Sequence, residues 1–257
     1  MSISDSNLNM IPPATVPVVG EQPIPEQTLV EEPIAIPGKF TDKLYMLAAV
    51  FGPFVGFIAA VVHAWRNGWM GWGYVALFLV AWAITGMGIT IGFHRLLTHN
   101  AFETHRFMRA LWTIFGALSV EGSPLVWCAV HRKHHAKSDK RGDPHSPHVH
   151  GEGIVNRVRG FWFAHAGWLF TGHWSYPDLE RYVPDLLEDK LLVAVDRMYY
   201  LWVLISLAIP TAIAGLVTMT WEGAFLGFLW GGVVRVFLGH HITWSINSVC
   251  HVFGRRP

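Results

Sequence analysis

Histidine is the residue type through which this chain would do chemistry. The 257 residues include 15 His, nearly as many as the 19 Lys and Arg together. His131, His134 and His135, in the run His131-Arg132-Lys133-His134-His135, are spaced by three and four, which places their rings within about 100° of one helical face. Imidazoles crowded on one face pack and solvate poorly, but in neutral form they suit Zn, Cu, Fe and Ni. The competing reading is a basic surface patch, since Arg132, Lys133, Lys137, Lys140 and Arg141 surround them. His94 and His99 form a second pair. On a straight α-helix an interval of five sets two rings roughly 140° apart, so they share a ligand field only if the helix ends or bends between them, or they serve different ions. Asn247 and His251 lie four apart, one above the other, and His240, seven before Asn247, falls on nearly the same face. Such a polar stripe in an apolar helix is costly unless it faces the interior of a bundle.

Three separated segments that each deliver His to the same side are best explained by a metal centre. Six His and an Asn exceed what one tetrahedral zinc needs, and a chain with two Cys disfavours an iron–sulfur cluster. Two iron ions held mainly by imidazole fit better, unlike the Glu-rich sites of soluble di-iron bundles. Cys128 and Cys250 are expected to be free, and a thiolate role is set aside because an exposed thiolate beside a redox-active metal is open to oxidation.

Membrane helices must position these residues. Charged residues make up only 14% of the chain and hydrophobic ones 52%, against about 25% charged in soluble domains. The formal net charge of +1 argues against a nucleic-acid surface. The first 40 residues, rich in Pro and acids, read as a disordered tail, without the basic start and apolar core of a secretory signal. Uncharged or nearly uncharged runs over 44–64, 72–93, 199–221 and 223–248 are long enough to cross a bilayer core of about 30 Å. Pro210 and Arg235 fall inside the last two and are tolerable where neighbouring helices satisfy the freed groups. The stretch from His94 to Met198 carries 13 of the Lys and Arg and 11 of the His, which favours the cytosol for that side and for both termini. Within it, Phe107 to Val130 is apolar but interrupted by Arg109 and Glu121, and reads as an interfacial or buried helix leading to His131. The expected fold is an all-α integral membrane protein of four transmembrane helices under a cytosolic helical cap that carries the His-rich di-iron site.

His94-Arg95-Leu96-Leu97-Thr98-His99, then His131-Arg132-Lys133-His134-His135 followed by Gly142-Asp143-Pro144-His145-Ser146-Pro147, then Thr243-Trp244-Ser245-Ile246-Asn247-Ser248-Val249-Cys250-His251, resemble in order and spacing the membrane acyl-CoA desaturases of the stearoyl-CoA type. The resemblance runs from about residue 42 to the last. It implies an enzyme that inserts a cis double bond into a saturated acyl chain, usually at carbon 9, using O2 and two electrons. It further implies that His94, His99, His131, His134, His135 and His251 ligate iron, that Asn247 holds a water on one iron, and that Trp127, Thr243 and Trp244 line a bent acyl tunnel. Hydrogen abstraction from an unactivated methylene requires the chain to be held so that one pair of carbons reaches the metal. His145 belongs to the family pattern without being a usual ligand. His148 and His150 have no assigned role, and His63, His105, His165 and His173 are assigned to polar contacts at the membrane interface.

The chain departs from the family in two places. A third box, His-Asn-x-His-His, does not occur before Pro257, so the expectation is a truncated chain whose 257 residues alone do not complete the di-iron centre. Ala129 and Val130 stand where the animal enzymes have an Arg-Asp pair that contacts CoA, leaving acyl-CoA, acyl-carrier protein and phospholipid open as the acyl carrier, with Arg157 and Arg159 as generic anion candidates. A separate electron donor is expected: ferredoxin, rubredoxin, a flavoprotein or a cytochrome b5-like protein. The alternatives are a His-box membrane hydroxylase, which would yield an alcohol in place of an olefin, and a non-catalytic membrane metal-binding or transport protein, which would spread polar residues through the depth of its spans.

Overall fold

The computed structural model describes residues 40–171 and 180–253, and every regular element in them is helical. The expected tail and His173 lie outside the described residues. A four-residue loop joins helix α1 (Phe40–Asn67) to helix α2 (Trp72–Met87), and α2 runs without a break into a π-helix (Gly88–Thr98). Then come α3 (Arg106–Ala117), α4 (Pro124–Lys137), α5 (Ile154–His165), a 3-10 turn (Gly167–Phe170), and the short helices α6 (Pro184–Glu188) and α7 (Lys190–Arg197). Helix α8 (Tyr199–Thr218) precedes α9 (Trp221–Gly227), which passes through a second π segment (Phe228–Val234) into α10 (Arg235–Val252).

Four helical stretches are long and apolar enough to cross a membrane: Leu44–Asn67, Trp72–Thr98, Tyr199–Thr218 and Trp221–Val252. They match the four expected spans, and the second and fourth run a few residues further because the His-bearing segments are continuous with them. Alternation of direction puts the C-terminal ends of the second and fourth spans on the same side, where the His-rich segments gather.

The helix expected over Phe107–Val130 is two helices, α3 and α4. Val120 (φ 67°) and Gly122 (φ 115°) turn the chain between them. Pro124, which lacks an amide hydrogen, starts α4 at the one place where that loss is harmless. The Leu125 amide, left over in the first turn, donates to Asp196 Oδ1 at 2.9 Å.

Arg235, the charge inside the fourth span, is buried and makes four hydrogen bonds. Its guanidinium donates to Gly231 O, Thr85 Oγ1, Leu118 O and Ser206 Oγ at 2.6 to 3.2 Å. These bonds tie α2, the α3–α4 turn and α8 to the fourth span, which is how an isolated cation is accommodated at membrane depth. The main core packs Phe93, Leu96 and Leu97 of the first π-helix against Leu125, Cys128 and Ala129 of α4 and Leu186, Leu192 and Tyr199 beyond. It forms the floor beneath the His residues, fixing α4 and the π-helix relative to each other.

Candidate metal centre

The π-helix pairs His94 with His99. Its hydrogen bonds run from i to i+5, as in the His99 amide donating to His94 O at 3.0 Å, so residues five apart come round to the same side. The two ring centroids are 4.5 Å apart. The bend that the interval of five required is therefore a change of helical pitch. Two glycines allow it: a methyl on Gly92 would lie 2.5 Å from Trp112 O, and one on Gly88 would collide with the Phe115–Gly116 backbone of α3. Only glycine lets the π-helix approach α3 so closely.

Helix α4 brings its histidines to the pair. The His131 ring lies 4.9 Å from His94, and His99 lies 4.8 Å from His135. His131 Nε2 and His135 Nε2 are 3.1 Å apart. Arg132, between these ligands in sequence, points the other way and clamps the end of the π-helix. It donates to Leu97 O, Thr98 O and Tyr182 O, and pairs with Asp185 at 2.6 Å. Carbonyls that the helix end would leave unsatisfied thus bind a cation.

His94, His99, His131 and His135 each offer a nitrogen within 4.8 Å of the others. An ion with bonds of about 2.1 Å needs donors about 3 to 4.2 Å apart, so small side-chain rotations suffice. Burial and then the neighbouring imidazoles push His131 down to about 2, and burial lowers His135. Both are therefore neutral, the form that ligates a metal.

A second group lies beside the first. His134, Asp143 and His145 also offer donors within 4.8 Å of one another, and the His134 ring centroid is 4.3 Å from His145 and 5.0 Å from His251. Asp143 is enclosed and accepts His134 Nδ1–H at 3.0 Å, the His145 amide at 3.0 Å and the Asp139 amide at 2.8 Å. Burial would raise its carboxyl, but these donors hold it below the ordinary carboxylate range. The bond fixes the His134 tautomer and leaves Nε2 as its ligating atom, the carboxylate–histidine arrangement common behind metal ligands. Asp139 does the same for His251, accepting its Nδ1–H at 3.2 Å, and accepts the Ser146 hydroxyl at 2.9 Å. His145 is buried with no hydrogen bond at Nδ1, and burial pushes it down to about 3. A buried, neutral, unpaired imidazole nitrogen beside two others suits a metal ion. The donors of the two groups fit metal ions: His94, His99, His131 and His135 could hold one, and His134 and His145, with the His251 ring close by, could hold another.

His145 joins this arrangement although its sequence pattern set it outside the ligands; its signal was Asp143, two residues earlier. His148 contacts His251 O through Nε2 at 3.0 Å. Asn247 lies on a cavity wall. His240 does not reach the donors, because its Nε2 donates to Val120 O at 2.9 Å. His105, expected at an interface, caps α3 by accepting the Met108 amide at 3.4 Å, and His165 is buried between α5 and α10.

Between the second and fourth spans a cavity of about 540 Å³ opens under these donors. Trp127, Thr243 and Trp244 line it, together with His94, His131, His145 and Asn247. Most of the remaining wall is apolar, with Met87, Ile89, Ile242 and Ile246 facing in. The Trp127 ring stacks on His131 at 4.9 Å. Glu121, met in the sequence only as a charge interrupting an apolar run, stands in this wall. Its carboxylate accepts Thr243 Oγ1–H at 2.9 Å and is also bonded by Trp127, while burial pushes its carboxyl up to about 7.

The family model of fatty acid desaturases matches residues 67–257. Among characterised proteins, the hex-5-enoyl-[acyl-carrier protein] acetylenase of Moorena producens (strain JHB) is 41% identical over 80% of this chain and 64% of its own length. The sn-1 stearoyl-lipid 9-desaturase of Anabaena variabilis is 31% identical over 79% of this chain and 68% of its own. The acyl-CoA C20 Delta5-desaturase of Anemone leveillei is 31% identical over 77% of this chain and 56% of its own. The chain thus spans roughly 56 to 68% of the length of these relatives.

Proposed function

The chain belongs to the fatty acid desaturase family, and from that premise we propose that the protein converts a saturated acyl chain to its cis-unsaturated form at a di-iron centre, at carbon 9. The observation that carries this reading is the cavity: an apolar space with one wall made of the imidazoles of His94, His131 and His145. A cavity of that size, mostly apolar with a few convergent polar groups, suits a hydrocarbon ligand whose orientation is set at one point. Two iron ions bound by the two donor groups, with O2 and two electrons, would supply the oxidising power that removes two hydrogens as water.

The residues of this chain do the rest. Trp127 and Trp244 pack against the acyl chain and exclude water from it. Glu121 and Thr243 satisfy each other, so neither presents an orphan polar group to a methylene. Asp143 and Asp139 keep His134 and His251 turned toward the metal. Asn247 is proposed to hold a water on one iron. Electrons come from a separate carrier of the ferredoxin, rubredoxin, flavoprotein or cytochrome b5-like class, and the donor face and both termini are proposed to face the cytosol.

A second reading concerns the carrier. The likeness to the Moorena acetylenase favours an acyl chain on acyl-carrier protein, while the Anabaena and Anemone relatives favour acyl-lipid and acyl-CoA. Expressing the gene in a desaturase-deficient host and analysing fatty acid methyl esters tests the main reading: new unsaturated chains are expected, and they should vanish with His134→Ala. An alcohol product would favour a hydroxylase, and unsaturation that survives the substitution would overturn the assignment of the site. Feeding acyl-CoA, acyl-carrier protein and phospholipid forms to membranes separates the carriers.

A further inference from the structure

The end of α10 carries two residues of one face, a turn apart: Asn247 on the cavity wall and His251 beside His134. Other polar contacts of α10, His240 to Val120 O, Thr243 to Glu121 and His251 to Asp139, reach the α3–α4 turn and the loop after α4, so the side of the helix turned to α5 needs a contact of its own to hold its rotation. His165, the last residue of α5, makes that contact. It is buried, with Nδ1 2.9 Å from Ser248 Oγ and Nε2 3.0 Å from His241 Nδ1. Ser248 and His241 are seven apart, two turns along one face of α10. Trp244, between them in sequence, lines the cavity and packs edge-on to His165 at 5.9 Å.

The proton positions follow from the bonds. The Ser248 hydroxyl donates to Trp244 O at 3.0 Å, so its oxygen receives the hydrogen of His165 Nδ1. His165 Nε2 then has only a lone pair to offer, and His241 Nδ1–H donates to it. Burial and the adjacent His241 lower His165 from its ordinary value, which agrees with a neutral ring. Each partner has one tautomer and one orientation, and none of the three belongs to the donor groups of the metal centre.

We propose that His165 is a positioning residue for the metal centre: by gripping Ser248 and His241 it sets the rotation of α10 that turns Asn247 into the cavity and His251 toward His134. This rests on the desaturase reading of the site but is tested separately from it. Ser248 lies one residue from Asn247 and three from His251, so a rotation of α10 displaces both at once. Deleting such outer partners typically costs 10–100-fold in metal affinity.

The test uses the full-length protein in lipid nanodiscs, loaded with cobalt(II), whose absorption reports imidazole ligation, and challenged with a chelator. His165→Leu keeps the bulk and loses both bonds. His165→Asn keeps an amide N–H near the position of Nδ1. Ser248→Ala removes one oxygen. The expectation is cobalt release at least about tenfold faster in His165→Leu and Ser248→Ala, restored toward the unaltered rate in His165→Asn, with helical content unchanged. A scatter of double-bond positions in the first two variants accompanies it. Release from His165→Leu and Ser248→Ala at the unaltered rate overturns the proposal. So does a failure of His165→Asn to restore it, which would mean that ring shape alone matters. If His165→Leu does not fold, Ser248→Ala decides by itself. The desaturase reading fails differently, by an unaltered protein that retains cobalt in this assay and yet, loaded with iron and given O2 and an electron donor, makes no double bond.

Discussion

Glu121→Gln isolates the one carboxyl in the cavity wall. The Glu121 carboxyl, enclosed by Thr243 and Trp127, is pushed up to about 7 from an ordinary 4.5. The folded protein therefore holds a proton on this group over a range of pH in which the unfolded chain has released it. Since stability changes with pH as the difference in bound protons between unfolded and folded states, it falls as pH rises from 4.5 to 7 and levels off above. At about 1.4 kcal/mol per pH unit the fall totals about 3.5 kcal/mol as an upper bound, reduced by the share of the side chain that the cavity leaves open to water. Glutamine keeps the shape, and its carbonyl still accepts from Thr243, but it does not titrate. The assay is unfolding in detergent micelles, followed by tryptophan fluorescence, for both proteins from pH 5 to 8. Histidines titrate in both, so the difference between the two proteins isolates Glu121. Glu121→Gln should gain on the wild type steadily up to pH 7 and then hold a constant margin. A difference that does not vary with pH would falsify the reasoning, because it would mean that the carboxyl is solvated and not enclosed.

Two further outcomes follow from the same geometry. Asp143→Asn turns an acceptor of three N–H groups into one that presents its own hydrogens to some of them. It should weaken metal retention by about 10–100-fold and cost about 1–3 kcal/mol of stability, read by iron analysis after dialysis and by thermal melting; iron content equal to wild type would remove Asp143 from its role behind His134. Gly92→Ala should cost about 1–3 kcal/mol by forcing the π-helix off Trp112, whereas Gly73→Ala, with open space around it, should be neutral or slightly stabilising; equal melting temperatures for the two variants would show that close approach does not hold the π-helix in place.

The membrane helices were legible because their signal is local. Twenty apolar residues in a row specify a span whatever lies elsewhere in the chain, and the four expected segments match the four long helices. The candidate ligands were legible in part for the same reason. His131, His134 and His135 share a face because intervals of three and four on an α-helix require it.

What stayed hidden depends on contacts between distant residues. The interval between His94 and His99 reads as a mismatch on an α-helix. It becomes a pair only in a π-helix, whose pitch goes with the fit of Gly88 and Gly92 against α3. His145 is set apart in the sequence as a member of the family pattern that is not a usual ligand, and Asp143 gathers it beside His134. Glu121 looked like a break in an apolar run, and its partner Thr243 lies 122 residues away. His165 reads as an interface residue until Ser248, 83 residues on, accepts its Nδ1–H. Composition and spacing thus determined which groups this protein brings to the ends of its long apolar helices. Tertiary structure decided which way each group points and what holds it there, because a hydrogen bond between two side chains depends on where the backbones lie and leaves no periodic trace in either segment.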